Sequence, residues 1–227
     1  LFIYRDRLGV KPLYVHGKAN QGRLWFASEI KAILKAGIKP KVNFDAMAQY
    51  LALNYVPSPD TIFDGITQLK PGHMMKISKR GVEHTQYWDL SEVSIEEKLS
   101  YKDSKQMVLE LLNDATRIRM RSDAPYGAFL SGGIDSSSIV GFMNNHKKEE
   151  IKTYSMGFSD PRFDETRFAE MASNRFKTNH TSKIMEYDAT SMWPIFIWHT
   201  DQPHGDISFI PTYMVSALAV KETKMVL

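Results

Sequence analysis

Residues Leu130-Ser131-Gly132-Gly133-Ile134-Asp135-Ser136-Ser137 gather two glycines, three serines and a carboxylate into eight positions. Glycine lets a backbone bend sharply and approach a ligand closely. The first turn of a helix leaves several N–H groups without intrahelical acceptors. Those donors, the helix dipole and the hydroxyls together suit an anion such as pyrophosphate. The Asp135 carboxylate repels a bare phosphate, but it can hold a magnesium ion that bridges to one. The common P-loop ends in Gly-Lys-Ser/Thr, and no such lysine follows here. A plain glycine-rich turn ahead of an ordinary helix is the competing reading of the same string.

Such a loop has to be held by a strand before it and a helix after it. Tyr126 to Leu130 is short, apolar and bounded by Pro125, as a buried strand should be, and Ser138 to Met143 continues as an apolar-rich helix. Upstream, Val108, Leu111, Leu112, Ala115 and Ile118 recur at helical spacing. Downstream, Ile151 to Phe158 reads as a strand, and Asp164 caps a helix running to Phe176. A further helix covers Tyr213 to Lys221, before a last strand at Met225. Strands alternating with helices predict a parallel, doubly wound α/β sheet, in which ligands bind beyond the carboxyl ends of the strands.

The first part of the chain reads differently. Leu1 to Tyr4, Leu13 to Val15 and Leu24 to Ala27 are short strand-like runs, with a loop over Gly17 to Gly22. Phe44 to Leu53 is helical with Asn43 as N-cap, and Tyr55 to Asp60 is a loop. His73 to Ile77 and Val82 to Tyr87 pair as a hairpin across Lys79-Arg80-Gly81. The polar stretch Asp89 to Ser104 reads as the linker. The expected division is residues 1–92, α+β, and residues 93–227, α/β.

Bulk composition narrows the partners. The 227 residues are 43% hydrophobic and 24% charged, an ordinary globular balance for one large or two small domains. A net charge of +3 gives no case for nucleic acid, and the clusters Arg117/Arg119/Arg121 and Lys147/Lys148 read as solvated helix faces. The absence of Cys excludes disulfides, thiolate metal sites and a cysteine nucleophile in this chain, and fits an intracellular location. No apolar run approaches a membrane span, and the first residues lack a signal-peptide pattern. The chain begins without Met and ends on an apolar run, so it is expected to be a piece of a longer protein. The seven histidines show no metal-ligand spacing.

The octapeptide resembles the Ser-Gly-Gly-x-Asp-Ser loop of ATP pyrophosphatases, which cleave ATP between its α and β phosphates. Further stretches make the resemblance more selective: Arg5 to Tyr14, Phe26 to Ala32, Tyr55 to Phe63, Pro71-Gly72-His73, Tyr87-Trp88 and Arg121 to Gly127. Together, and in this order, they are similar to glutamine-hydrolysing asparagine synthetase. The resemblance implies the tail of an N-terminal-nucleophile glutaminase domain over residues 1–92. It implies the first part of a doubly wound, nucleotide-binding synthetase domain over 93–227. The implied reaction adenylates the side-chain carboxylate of aspartate with ATP, and ammonia from glutamine then displaces AMP. It implies ATP and Mg2+ as cofactors, with small-molecule substrates aspartate, glutamine and ATP, and a cytoplasmic enzyme of amino-acid biosynthesis. Oligomeric state stays open, a homodimer included.

By the same resemblance, Phe129, Leu130, Ser131, Gly132, Gly133, Ser136, Ser137 and Met156 bind nucleotide, and Asp135 is catalytic through Mg2+. For Phe129 and Met156, core packing on buried strands is an equal reading. Asp201, Pro203 and Asp206 stand where the family has an acidic, proline-containing segment, and they read either as aspartate or metal contacts or as turn and N-cap residues. Asp164 and Glu165 read as helix cap and first-turn charge. The family's N-terminal cysteine and glutamine-binding residues are expected upstream of residue 1, and its second pyrophosphate loop after Leu227, so the chain by itself is not expected to perform the reaction. Another amidotransferase of the same loop family, a β-lactam synthetase-like ligase, and a non-catalytic homologue remain the alternatives.

Overall fold

The computed structural model describes residues 1–18, 23–95, 98–185 and 188–227. Of the expected loop Gly17 to Gly22, Gly17 and Lys18 close a strand and the rest lies outside the described residues. The chain divides into two compact units, Leu1–Ile95 with Ser191–Ile207, and Glu96–Thr190 with Ser208–Leu227. Among the described residues no helix is long and apolar enough to cross a membrane.

The first unit holds β1 (Phe2–Tyr4), β2 (Tyr14–Lys18), β3 (Arg23–Ala27), α1 (Ile30–Lys35), α2 (Phe44–Leu53), β4 (Ile66–Gln68), β5 (His73–Ser78) and β6 (Gly81–Gln86). Two antiparallel three-stranded sheets result, ordered β1-β5-β6 and β3-β2-β4. The two-residue period of a strand explains how β2 serves two cores. Its Tyr14 joins Ile30, Ile33 and Ile66, whereas its neighbour Val15 joins Ile3, Leu69 and Met75. The β5–β6 hairpin forms as expected, with Ile77 opposite Val82. Helix α2 runs from Phe44 to Leu53 as read, and the Asn43 side chain accepts the Ala46 N–H at 3.1 Å. Arg5 is buried and ties the loop that follows it: its guanidinium donates to the carbonyl oxygens of Gly9, Lys11 and Leu69.

The second unit holds α3 (Tyr101–Arg119), β7 (Tyr126–Phe129), α4 (Ile134–His146), β8 (Lys152–Gly157), α5 (Thr166–Phe176), β9 (Asn179–Ile184), α7 (Phe209–Ala219) and β10 (Met225–Val226). Its sheet is parallel throughout, ordered β10-β7-β8-β9. Ala128 and Leu130 pack with Val140 and Met143 of α4 and Ala169 of α5. Phe129, pointing the other way, shares a hollow with Ser216 and Ala219 of α7 and with Val220, its C-cap. Helices therefore cover both faces, which is the doubly wound arrangement expected. In α3 the spacing is helical as read, yet Val108, Leu111, Leu112 and Ile118 are exposed and Thr116 is the buried residue. Helix α7 starts four residues earlier than read, because Pro211 is tolerated in a first turn that needs no N–H donor there.

Between β9 and α7 runs α6 (Ala189–Thr200), and its residues from Ser191 onward belong to the first unit. Pro194, Ile197 and Trp198 line a hollow with Ile30, Leu34 and Phe63. Asp201, in the left-handed region at φ 61°, completes α1 from 171 residues away. Its carboxylate accepts the N–H groups of Ile30 at 2.9 Å and Lys31 at 3.3 Å, and pairs with the Lys31 ammonium at 3.1 Å. Burial draws the Lys31 ammonium down, but hydrogen bonds to Asp201 and Glu29 outweigh it and raise its pKa. Gln202 Oε1 accepts the Ile62 N–H, and the Gly205 N–H donates to the Asn54 carbonyl. Asp201→Ala is expected to destabilise the protein by about 2 kcal/mol, a lost cap plus a lost ion pair, and Asp201→Asn by roughly half as much. Urea unfolding checks this, and a loss within about 0.5 kcal/mol for the alanine variant would mean that the cap is dispensable.

Candidate functional site

The glycine loop sits where the sequence places it, between the carboxyl end of β7 and the start of α4. The Leu130 side chain is buried and its N–H donates to the Tyr154 carbonyl at 2.9 Å, extending the strand pairing into the loop. Ser131, Gly133 and Asp135 are exposed, so the loop is open to solvent. Gly132 adopts φ +81°, and a Cβ there would stand 2.2 Å from the Phe168 carbonyl carbon and 2.5 Å from the Ala169 nitrogen. Glycine is thus required both by conformation and by the backbone of α5 pressed against it.

The loop's hydroxyls hold it from within. The Ser131 N–H donates to Ser136 Oγ at 3.2 Å, the Gly133 N–H donates to Ser131 Oγ at 3.2 Å, and the two hydroxyls lie 3.0 Å apart. Gly133 is the N-cap of α4, and its carbonyl accepts the Ser137 N–H at 3.0 Å. Helix geometry leaves the N–H groups of Ile134, Asp135 and Ser136 without intrahelical acceptors. They are the donors that the turn leaves open, and the Asp135 carboxylate belongs to the same turn.

Beside the loop, over the ends of β7 and β8, lies a cleft of about 250 Å³. Phe129, Leu130, Ser131 and Met156 line it, so four of the residues proposed for nucleotide share one wall. Gly132, Gly133, Asp135, Ser136 and Ser137 do not line it but belong to the adjoining loop and helix turn. The rest of the lining was not foreseen: Phe158, Phe163, Glu165, Thr166, Pro211 and Val215 among others. Its signal was weak, because these residues come from three separate segments.

A small turn fixes the near side of the cleft. Asp164 accepts from the Phe158 N–H at 3.2 Å and the Thr166 hydroxyl at 2.7 Å. The Thr166 hydroxyl, ahead of the two N–H groups, holds that carboxyl below its usual range. Asp164 thus stands one residue before the cap position, which Glu165 occupies without a side-chain bond. A Cβ on Gly157 would meet the side-chain ends of Thr166, Asp164 and Ile184, so a larger residue there would push this turn aside.

No group of three or more His, Asp or Glu positioned for a metal occurs among the described residues. A lone carboxylate beside open backbone donors still suits Mg2+, which commonly takes one or two carboxylates and completes its shell with substrate phosphate and water. Asp201 is engaged as a helix cap in the first unit, and the Asp206 N–H donates to His204 Nδ1 at 3.1 Å.

Comparison with known proteins places the sequence in a family. The sequence model of asparagine synthase matches residues 107–227, and that of a glutamine amidotransferase domain matches residues 1–88. A putative glutamine-hydrolysing asparagine synthetase of Methanocaldococcus jannaschii is 38% identical over all of this chain and 44% of its own length. Asparagine synthetase 1 of Bacillus subtilis is 32% identical over all of this chain and 35% of its own length. An amidase of Penicillium rubens is 30% identical over 92% of this chain and 33% of its own length. The chain therefore spans less than half the length of these relatives. With the synthase model covering more than half of its residues and the amidotransferase model most of the remainder, the chain belongs to the asparagine synthase family.

Proposed function

We propose that the whole protein makes asparagine from aspartate, using ATP and taking nitrogen from glutamine. The observation that carries this reading is the Ser-Gly-Gly-Ile-Asp-Ser-Ser loop at the carboxyl end of β7, beside a cleft, in a chain of this family. A carboxylate is a poor electrophile because its leaving group is oxide. Transfer of AMP onto it forms a mixed anhydride and releases pyrophosphate, and ammonia then displaces AMP. Charge grows on the departing pyrophosphate, and fixed donors are the effective answer to it. In this reading Ser131, Gly132, Gly133, Ser136 and Ser137 hold the phosphates, and Phe129, Leu130 and Met156 line the nucleoside side. Asp135 would hold Mg2+, which supplies positive charge against the leaving group. The glutaminase part would end at residue 92 and the synthetase part begin at 93, in a cytoplasmic enzyme.

The test is pyrophosphate release from ATP by the whole protein, with glutamine and a panel of carboxylic acids. Aspartate is expected to be the preferred acceptor, with asparagine as product. Preference for another acid would move the protein to a different amidotransferase of the same loop family, a reading that the match to the Penicillium amidase keeps in play. No nucleotide-dependent release with any acid would overturn the enzymatic reading.

A further inference from the structure

Behind the β8 wall of the cleft runs a line of polar side chains that the proposed reaction leaves unused. Ser173 Oγ donates to the Thr178 carbonyl oxygen at 3.3 Å, and Thr178 Oγ1 donates to Ser173 Oγ at 2.9 Å. The hydroxyls of Thr153 and Thr178 are 2.8 Å apart. Thr153 Oγ1 lies 2.9 Å from His180 Nδ1, and His180 Nε2 lies 3.1 Å from Ser155 Oγ. Thr153, Ser155 and Ser173 are buried. Ser155 is also a lining residue of the cleft.

The order of protons along this line is set from one end. A carbonyl oxygen only accepts, and each hydroxyl has one proton to give. Ser173 gives its proton to the Thr178 carbonyl, and Thr178 gives its own to Ser173. Thr153 must then donate to Thr178, so its oxygen accepts from His180, whose Nδ1 carries the hydrogen. In a neutral imidazole that leaves Nε2 bare, and Ser155 donates to it. The Ser155 oxygen then has only lone pairs left to offer.

We infer that Ser155 is a specificity-determining residue: it presents an acceptor-only oxygen to the cleft, and so favours nucleotides that bring a hydrogen-bond donor there, either a base amino group or the ribose 2′-hydroxyl. The inference rests on the nucleotide reading of the cleft. His180 is the positioning residue. It is held by Thr153 and Ser155 of β8, and the Glu170 carboxylate of α5 acts on it. Burial pulls its imidazole below the ordinary 6.5, against the raising effects of Glu170 and of the Thr153 backbone, so it is neutral at neutral pH. As pH falls through that lowered pKa both ring nitrogens carry protons. Ser155 must then accept from Nε2 and turn its own proton outward, which removes its preference for a base amino group, whereas a ribose hydroxyl can answer it by accepting.

Calorimetric binding of ATP, inosine triphosphate and 2′-deoxy-ATP to the whole protein tests this, in the wild type and in Ser155→Ala. Near neutral pH the wild type should prefer ATP over one of the two analogues by about tenfold, the value of a single buried hydrogen bond. The analogue that loses affinity identifies the donor. Ser155→Ala should abolish that preference while still binding nucleotide. A wild-type preference over inosine triphosphate should fade along the His180 imidazole titration read by NMR, whereas one over 2′-deoxy-ATP should persist, because the ribose hydroxyl can also accept. Phosphate protonation is shared by the nucleotides and cancels in the ratio. A preference that survives in Ser155→Ala, is absent in the wild type, or, measured against inosine triphosphate, ignores the His180 titration would overturn the inference alone. Failure of the wild type to bind ATP at all would overturn the nucleotide reading and this inference with it.

Discussion

Asp135→Asn should lower aspartate-dependent ATP–pyrophosphate exchange by roughly a hundred- to a thousandfold, equivalent to about 3–4 kcal/mol of transition-state stabilisation. Glutamine hydrolysis by the same protein should persist. The amide keeps nearly the shape of the carboxylate, and Asp135 is exposed in the first turn of α4, so the fold should not sense the change. What disappears is the negative charge able to hold a cation against the leaving phosphates. Glutamine hydrolysis would run on a cysteine in the other domain with its own donors. Near-normal exchange in a variant with an unaltered circular dichroism spectrum would show that Asp135 merely begins a helix.

Gly132→Ala should be still more damaging, and Gly133→Ala is its control. At Gly132 the added methyl carries two penalties. The left-handed φ costs an L-residue roughly 1–2 kcal/mol, and the methyl would land inside the backbone of Phe168 and Ala169. Backbone cannot swing aside like the tip of a side chain, so either α5 or the loop must move. A stability loss of about 3 kcal/mol or more, with loss of nucleotide binding, is expected. Gly133 has an ordinary extended backbone, φ −67° and ψ 164°, and an added Cβ would approach only Ser131 Oγ at 3.3 Å. Its alanine variant should stay within about 1 kcal/mol of wild type. Equal losses in the two variants, measured by chemical unfolding, would mean that the packing of α5 on the loop does not matter.

The contrast between neighbouring glycines marks what a sequence can and cannot convey. That a Gly-Gly pair between an apolar strand and a helix makes a tight, open loop follows from local chemistry, and so does the Asn43 cap of α2. Which glycine is irreplaceable depends on α5, whose approach no local pattern announces. Strand β9, Asn-His-Thr-Ser-Lys-Ile, shows no hydrophobic alternation because it is the edge of its sheet and its His180 meets the hydroxyls of Thr153 and Ser155 where a core strand would meet aliphatic carbon. Helix α6 was hidden by Pro194 within it. The exposed stripe of α3 shows the reverse case, in which periodicity correctly gives a helix and says nothing of what packs against it. Asp201 was legible as a capping residue type, but the helix it caps lies 171 positions earlier.

That distance has a consequence during synthesis. At ribosomal rates of roughly 5–20 residues per second, the acceptor for the start of α1 emerges some 10–30 s after the helix itself. For that interval the N–H groups of Ile30 and Lys31 lack Asp201, and Ile30, Leu34 and Phe63 lack the cover of Pro194, Ile197 and Trp198. The nascent first unit is therefore an unfinished body with a sticky seam, and the ribosome must carry it in that state until the end of α6 has cleared the exit tunnel. Chaperone capture, premature pairing between neighbouring nascent chains and proteolytic nicking should all concentrate on the α1 seam, and should end abruptly once Asp201 arrives.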